Sequence, residues 1–136
     1  FWPGNILIDK NEIRVLDWED FGLSSLPLFS LFHFIVSYFL IMDMHFAKNE
    51  CDKFQRIFFS KSKYSNTIKK YVKYYCNNFG IELRLLDLFF MLYLVGFYNL
   101  RYEQEGPNYG VTIRSNQFIK IFFKNKNDFI LNGVKW

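Results

Sequence analysis

Apolar and polar positions along the chain alternate first in short runs and then in long ones. Ile6 to Ile8 and Ile13 to Leu16 are brief, β-prone apolar runs, separated by the polar Asp9-Lys10-Asn11-Glu12. That pattern predicts a hairpin with a four-residue connection. Gly22, Ser24, Ser25 and Pro27 then read as a loop with helix-start chemistry, a serine cap shortly before a proline in the first turn. A helix is expected from about Pro27 to Ala47, and a short one from Glu50 to Ser60. A third is expected from Ser65 to Asn78, where Ile68, Val72, Tyr75 and Phe79 recur at helical spacing with Lys69, Lys70 and Lys73 on the other side. Asn78 and Gly80 supply its stop. Leu83 to Gln104 is a strongly apolar helix closed by Gly106-Pro107, and Ser115 to Lys126 is the last, capped by Ser115 or Asn116. There is no internal repeat. The expected fold class is mainly α, a small β-hairpin attached to about five helices.

Composition agrees with a packed chain. Of 136 residues 51% are hydrophobic and 22% aromatic, with 18 Phe, while Gly (7) and Pro (3) are scarce. Disordered segments need the opposite balance, and this length is enough for one buried core. Leu23 to Met42 carries no Asp, Glu, Lys or Arg, which is long enough to span a bilayer. Pro27 interrupts it, however, five serine and histidine positions dilute it, and no basic cluster flanks it to set an orientation. A buried core helix explains the run equally well.

Charge is uneven. Residues 1–30 hold two basic against five acidic residues, and Lys48 to Cys76 holds eight basic against two acidic. A basic stretch suits phosphate, nucleic acid or an anionic membrane, and it also suits the solvated face of a helix. The nucleic-acid reading has charge alone behind it, with no recognisable reading helix, so no nucleic-acid partner is expected. Cys51 and Cys76 form no CxxC pair, and His33 and His45 have no metal-ligand spacing. The expected setting is a reduced compartment, the cytoplasm.

Two oxygen-bearing side chains flank the hairpin. Asn5 precedes its first strand and Asp17 follows its second. Paired strands lie about 4.8 Å apart, so these positions, twelve apart in sequence, become neighbours in space. An amide carbonyl and a carboxylate are hard donors that suit Mg²⁺. Asn and Asp beside a hairpin are also ordinary turn residues.

The words around them carry more. "FWPGNILID" followed by "VLDWEDFG" resembles the catalytic segment of the aminoglycoside phosphotransferase and choline kinase group, which has a protein-kinase-like fold. The family pattern is HGDxxxxN, a short hairpin, then an apolar strand ending in IDWE or IDFE. The resemblance implies that Asn5 and Asp17 bind Mg²⁺, with Pro3 and Gly4 shaping the loop before the strand. It further implies that Glu19, after Trp18, either holds a metal-bound water or anchors the loop, and that Asp20 is a surface residue. It places the catalytic Asp immediately before Phe1, so the chain is expected to be a fragment: residues 1–22 a metal-binding hairpin and residues 23–136 a helical part of the large lobe. Ser30 stands in Pro27-Leu28-Phe29-Ser30-Leu31 where the family carries an Asp that supports the catalytic loop; a hydroxyl offers one weaker hydrogen bond instead.

Function follows from the resemblance in the same way. The full-length protein would move the γ-phosphate of ATP, with Mg²⁺, to a hydroxyl of a small molecule. The chain alone holds no catalytic base and no glycine-rich phosphate loop, and is expected to be inactive. Residues 31–136 net +7, which disfavours polycationic antibiotics as acceptors and favours a neutral or anionic hydroxyl compound such as a sugar. Tyr98, Asn99, Arg101, Tyr102 and Glu103 end the long apolar helix and could line an acceptor pocket or simply form a solvated helix end. The alternative function is a small membrane-associated helical protein without catalysis, using the Leu23–Met42 and Leu85–Tyr98 runs.

Overall fold

The structure is a computed structural model and describes residues 6–10, 12–15, 25–42 and 49–132. Its element order is β1 (Ile6–Asp9), β2 (Glu12–Val15), α1 (Phe29–Met42), α2 (Glu50–Phe59), α3 (Ser65–Phe79), a 3₁₀ turn (Leu83–Leu85), α4 (Leu86–Glu105), α5 (Gly110–Asn125) and a closing 3₁₀ turn (Lys126–Asp128). The described residues are mainly helical, with one hairpin.

β1 and β2 are antiparallel and pair Ile6 with Val15, Leu7 with Arg14, Ile8 with Ile13 and Asp9 with Glu12. The connection is therefore two residues, Lys10-Asn11, and not the four that polarity suggests. Asp9 and Glu12 look like turn residues in sequence but face each other across the ladder. Lys10 takes the left-handed backbone (φ 52°) that tight hairpin turns demand.

α1 begins at Phe29, two residues later than its proline suggests. Leu26-Pro27-Leu28-Phe29 is a β-turn closed by the Phe29 N–H donating to the Leu26 carbonyl at 3.2 Å. Leu28 has φ 67°. Proline second and positive φ third is the pattern of a type II turn. A leucine in the left-handed region costs about 1–2 kcal/mol, and burial of its side chain opposes that cost. The helix is described to Met42. The expected extension to Ala47 and Ser24 lie outside the described residues, and Ser25, the other serine of the expected cap, lies four residues before the helix start and does not cap it.

α2 and α3 follow their local signals. Asn49 caps α2, its side-chain oxygen accepting from the Asp52 N–H at 2.9 Å. Gly80 ends α3 at φ 65°, its N–H donating to the Cys76 carbonyl. The buried stripe of α3 is Ser65, Ile68, Val72 and Cys76, a run of i, i+3, i+7 and i+11. Phe79, expected on that stripe, is exposed at the helix end, where its ring lies 4.5 Å from Tyr75.

α5 starts five residues before the expected cap. Ser115 lies inside it, buried, and its hydroxyl donates to the Val111 carbonyl at 2.8 Å. A serine that bonds back to its own helix mimics a cap in sequence without being one.

The core is a stack of phenylalanines centred on Phe90 of α4. Its ring lies 5.0 Å from Phe32 of α1, 5.3 Å from Phe58 of α2, 5.8 Å from Phe122 of α5 and 4.7 Å from Phe129 beyond α5. Phe54 of α2 stacks on Phe118 of α5 at 4.2 Å. The tail is fastened by the Ile130 N–H, which donates to the Phe58 carbonyl at 2.9 Å.

Among the described residues one helical stretch, Leu83–Glu105, is long and apolar enough to cross a membrane by length and composition, and 28% of its most apolar window is buried inside the fold. α1 has 14 described residues, about 21 Å at 1.5 Å per residue, short of a bilayer's hydrocarbon core.

Candidate functional site

The hairpin register fixes what the sequence motifs share. Ile6 opposite Val15 means that the chain enters and leaves the hairpin at one end. Asn5 is the residue before Ile6, and Asp17 is two residues after Val15. Asn5, Asp17 and Glu19, with Pro3, Gly4, Trp18 and Asp20, lie outside the described residues. Among the described residues no group of three His, Cys, Asp or Glu side chains stands together as a metal site.

The chain returns to the described structure at residue 25, and its first helix is held against α4. Gly96 of α4 makes room for this. A Cβ there would lie 3.3 Å from Phe29 Cε2 and 3.7 Å from Leu26 Cδ1. The Phe29 ring meets Tyr93 edge-on at 5.3 Å, and His33 lies 4.8 Å from Phe97. The Tyr93 hydroxyl is 3.4 Å from His33 Nδ1. Burial pushes the Tyr93 phenol far up, only partly opposed by the Arg101 charge. It therefore stays protonated and serves as a neutral hydrogen-bonding group. Ser30 is exposed on the first turn of α1.

The expected acceptor residues at the end of α4 divide. Tyr98 and Tyr102 sit together, ring centroids 5.9 Å apart. The Arg101 guanidinium lies 5.3 Å from the centre of the Phe97 ring and donates to Gln104 (3.1 Å) and Glu105 (3.4 Å) one turn on. Asn99 and Glu103 are exposed. Arg101 is thus engaged with its own helix, and its side chain is half-buried.

Two clefts are built from other residues. One, of about 590 Å³, lies between the start of α2 and α5 and includes Cys51, Arg114, Gln117 and Lys120. Arg114 pairs with Glu50, and the Cys51 thiol donates to Gln117 Oε1 at 2.8 Å. Burial, then Asp52 and Glu50, push the Cys51 thiol up, against a smaller lowering by Arg114. Raised thiols are poor nucleophiles near neutrality. The second cleft, of about 390 Å³, lies at the corner between α2 and α3 and includes Arg56, Lys61 and Lys63. Its signal in sequence is the basic run, which by itself does not distinguish a cleft from a solvated face.

Comparison with family models, curated proteins and solved structures finds no match for the chain.

Proposed function

We propose that the chain is the large-lobe part of a phosphotransferase that moves the γ-phosphate of ATP to a hydroxyl of a small molecule. The observation that carries the reading is the tight antiparallel hairpin between the two motif halves. "FWPGN" leads into β1, "VLDWEDFG" begins at the end of β2, and the register returns the chain to the end it came from. A mainly helical chain follows, as the large lobe of such an enzyme requires.

The donor set fits Mg²⁺: an amide carbonyl from Asn5 and a carboxylate from Asp17, both hard oxygens. When bound, the metal would neutralise charge on the transferring phosphate. Glu19 would hold a metal-bound water or anchor the loop. The residues of α1 and α4 contribute rigidity: Phe29 seated on Gly96 and Tyr93 fixes where the segment after Asp17 enters the helical part. The net charge of +7 over residues 31–136 supports a neutral or anionic acceptor.

The test is the coding sequence before Phe1 and the protein it specifies. His-X-Asp immediately upstream, with ATP-dependent phosphorylation by the extended protein, is the expected result. Asp17→Asn and Asn5→Ala should each lower kcat on the order of a hundredfold. Unrelated upstream sequence, or full turnover by Asp17→Asn, would sink the reading.

One observation favours a second reading, a membrane-associated helical protein: the apolar length of Leu83–Glu105. Resistance of the expressed chain to alkaline carbonate extraction would support it, and release into buffer would remove it.

A further inference from the structure

We propose that the outward face of α3 docks on an anionic lipid surface, independently of the Asn5 and Asp17 motif. Three features of the helix carry this.

The first is an exposed aromatic face. α3 buries Ser65, Ile68, Val72 and Cys76 along one line. Tyr71 is 57% exposed, Tyr74 70% and Phe79 66%, three of the four most exposed aromatic side chains among the described residues. Tyr71, Tyr75 and Phe79 follow one another at i, i+4 and i+8, and Tyr74 stands three residues after Tyr71, so the four rings neighbour one another on the helix surface. The Tyr75 and Phe79 rings lie 4.5 Å apart between centroids. Exposed apolar residues scattered singly are ordinary, whereas a contiguous group marks a contact surface.

The second is charge. α3 carries three lysines and no Asp or Glu, and the chain between Asp52 and Glu82 holds no acidic residue. Glu82 itself pairs with Arg84. Lys73 has a partner of its own. Lys69 and Lys70 enter no ion pair among the described residues. The Lys70 ammonium lies 5.8 Å from the centre of the Tyr71 ring, so positive charge and aromatic surface reach the same place. Together they call for a partner that is negative and partly apolar.

The third is shape. α3 has 15 residues, about 22 Å at 1.5 Å per residue, and neither of the two clefts includes a residue of it. Its outward face is a ridge, which suits a flat partner better than a small ligand. Tyrosine has an apolar ring and a polar tip and collects where hydrocarbon meets water. Lysine lays its stem along apolar surface and extends its ammonium to phosphate. These are the demands of a lipid headgroup layer. A single-stranded nucleic acid needs rings standing free for its bases, and Tyr75 and Phe79 are packed on each other. Because Ile68, Val72 and Cys76 stay in the core, the helix lies along the membrane surface and does not insert.

The experiment is co-sedimentation of the 136-residue chain with vesicles of phosphatidylcholine alone and with about 30 mol% phosphatidylserine. Each is measured at low salt and at about 0.5 M salt. A thymidine oligonucleotide is tested beside them. Lys69→Gln/Lys70→Gln removes charge from the face, and Tyr71→Ser/Tyr74→Ser removes its most outward tyrosines. Lys120→Gln/Lys124→Gln removes the same charge from exposed positions on α5. Circular dichroism checks that helicity is retained in all three. Binding to phosphatidylserine vesicles should weaken about tenfold or more in the lysine variant of α3 and roughly fivefold or more in the tyrosine variant. It should weaken less than about twofold in the α5 variant. Phosphatidylserine-dependent binding that high salt releases and that both α3 variants weaken supports the proposal. No vesicle binding, equal binding to phosphatidylcholine alone, or equal weakening in the α5 variant overturns it. So does an oligonucleotide that binds more tightly than the vesicles and is released by the same α3 variants.

Discussion

Replacing Phe90 by Ala removes the ring that the helices share. Phe90 is fully buried, and its neighbours come from α1, α2, α5 and the tail: Phe32, Phe54, Phe58, Phe122 and Phe129, with Tyr93 on its own helix. Truncating a buried Phe costs about 3–5 kcal/mol, from lost transfer free energy plus an unfilled cavity. The upper half of that range applies here, since the surrounding rings belong to separate helices and cannot all close on one void. Unfolding entropy of about 2.1 cal/mol/K per residue gives roughly 0.29 kcal/mol/K for 136 residues, so about 4 kcal/mol lowers Tm by roughly 14 °C. The assay is urea unfolding followed by circular dichroism, with a thermal melt beside it. Phe123→Ala is the comparison, since Phe123 is 58% exposed and should change stability by less than about 0.5 kcal/mol. A Phe90→Ala protein losing less than about 1 kcal/mol, or an equal loss in Phe123→Ala, would refute the placement of Phe90 at the centre of the core.

Three further outcomes are expected. The Thr112 hydroxyl is buried and finds no hydrogen-bond partner among the described residues, so Thr112→Val should raise the urea midpoint, with a gain of about 1 kcal/mol; a loss would show that the hydroxyl is paired. Gly80→Ala should cost about 1 kcal/mol by the same measurement, since φ 65° strains any side chain even though a Cβ would meet nothing within 4 Å. Burial pushes the Cys51 and Cys76 thiols up from their ordinary value of 9.0. Near that pH the unfolded chain releases these protons first, so the folded state binds more of them and stability falls as pH rises. A Cys51→Ala/Cys76→Ala protein should show a smaller fall in urea midpoint between pH 8 and about 9.5, and an unchanged fall would rule out the thiols as its source.

Much of the helical plan is legible in local chemistry. The left-handed Gly80 and the Gly106-Pro107 stop are properties of a few consecutive residues, and α3 and α4 end close to where those residues put them. Two of the misread boundaries share a cause: a polar residue's partner is not written beside it. Asp9 and Glu12 pair across a ladder, so the turn is shorter than it reads. Ser115 bonds back to Val111, so α5 begins earlier. Cys76 is buried in α3, while Phe79, the last residue of the helix before Gly80, is exposed.

The two candidate sites divide along the same line. The Asn5 and Asp17 motif belongs wholly to the sequence, since it consists of residue types at set spacing around a hairpin, and the described structure adds the register that joins its halves. The α3 face is the reverse. Sequence shows aromatics at helical spacing, equally suited to a core stripe. That Tyr71, Tyr74 and Phe79 stay outside is decided by the packing of Ile68, Val72 and Cys76 into the core. Propensity and capping act over a few residues, so sequence alone determined that this chain is mainly helical and where most helices stop. Side-chain exposure depends on how helices pack, and that is set by which of 18 phenylalanines meet around Phe90, a question only the tertiary structure decides.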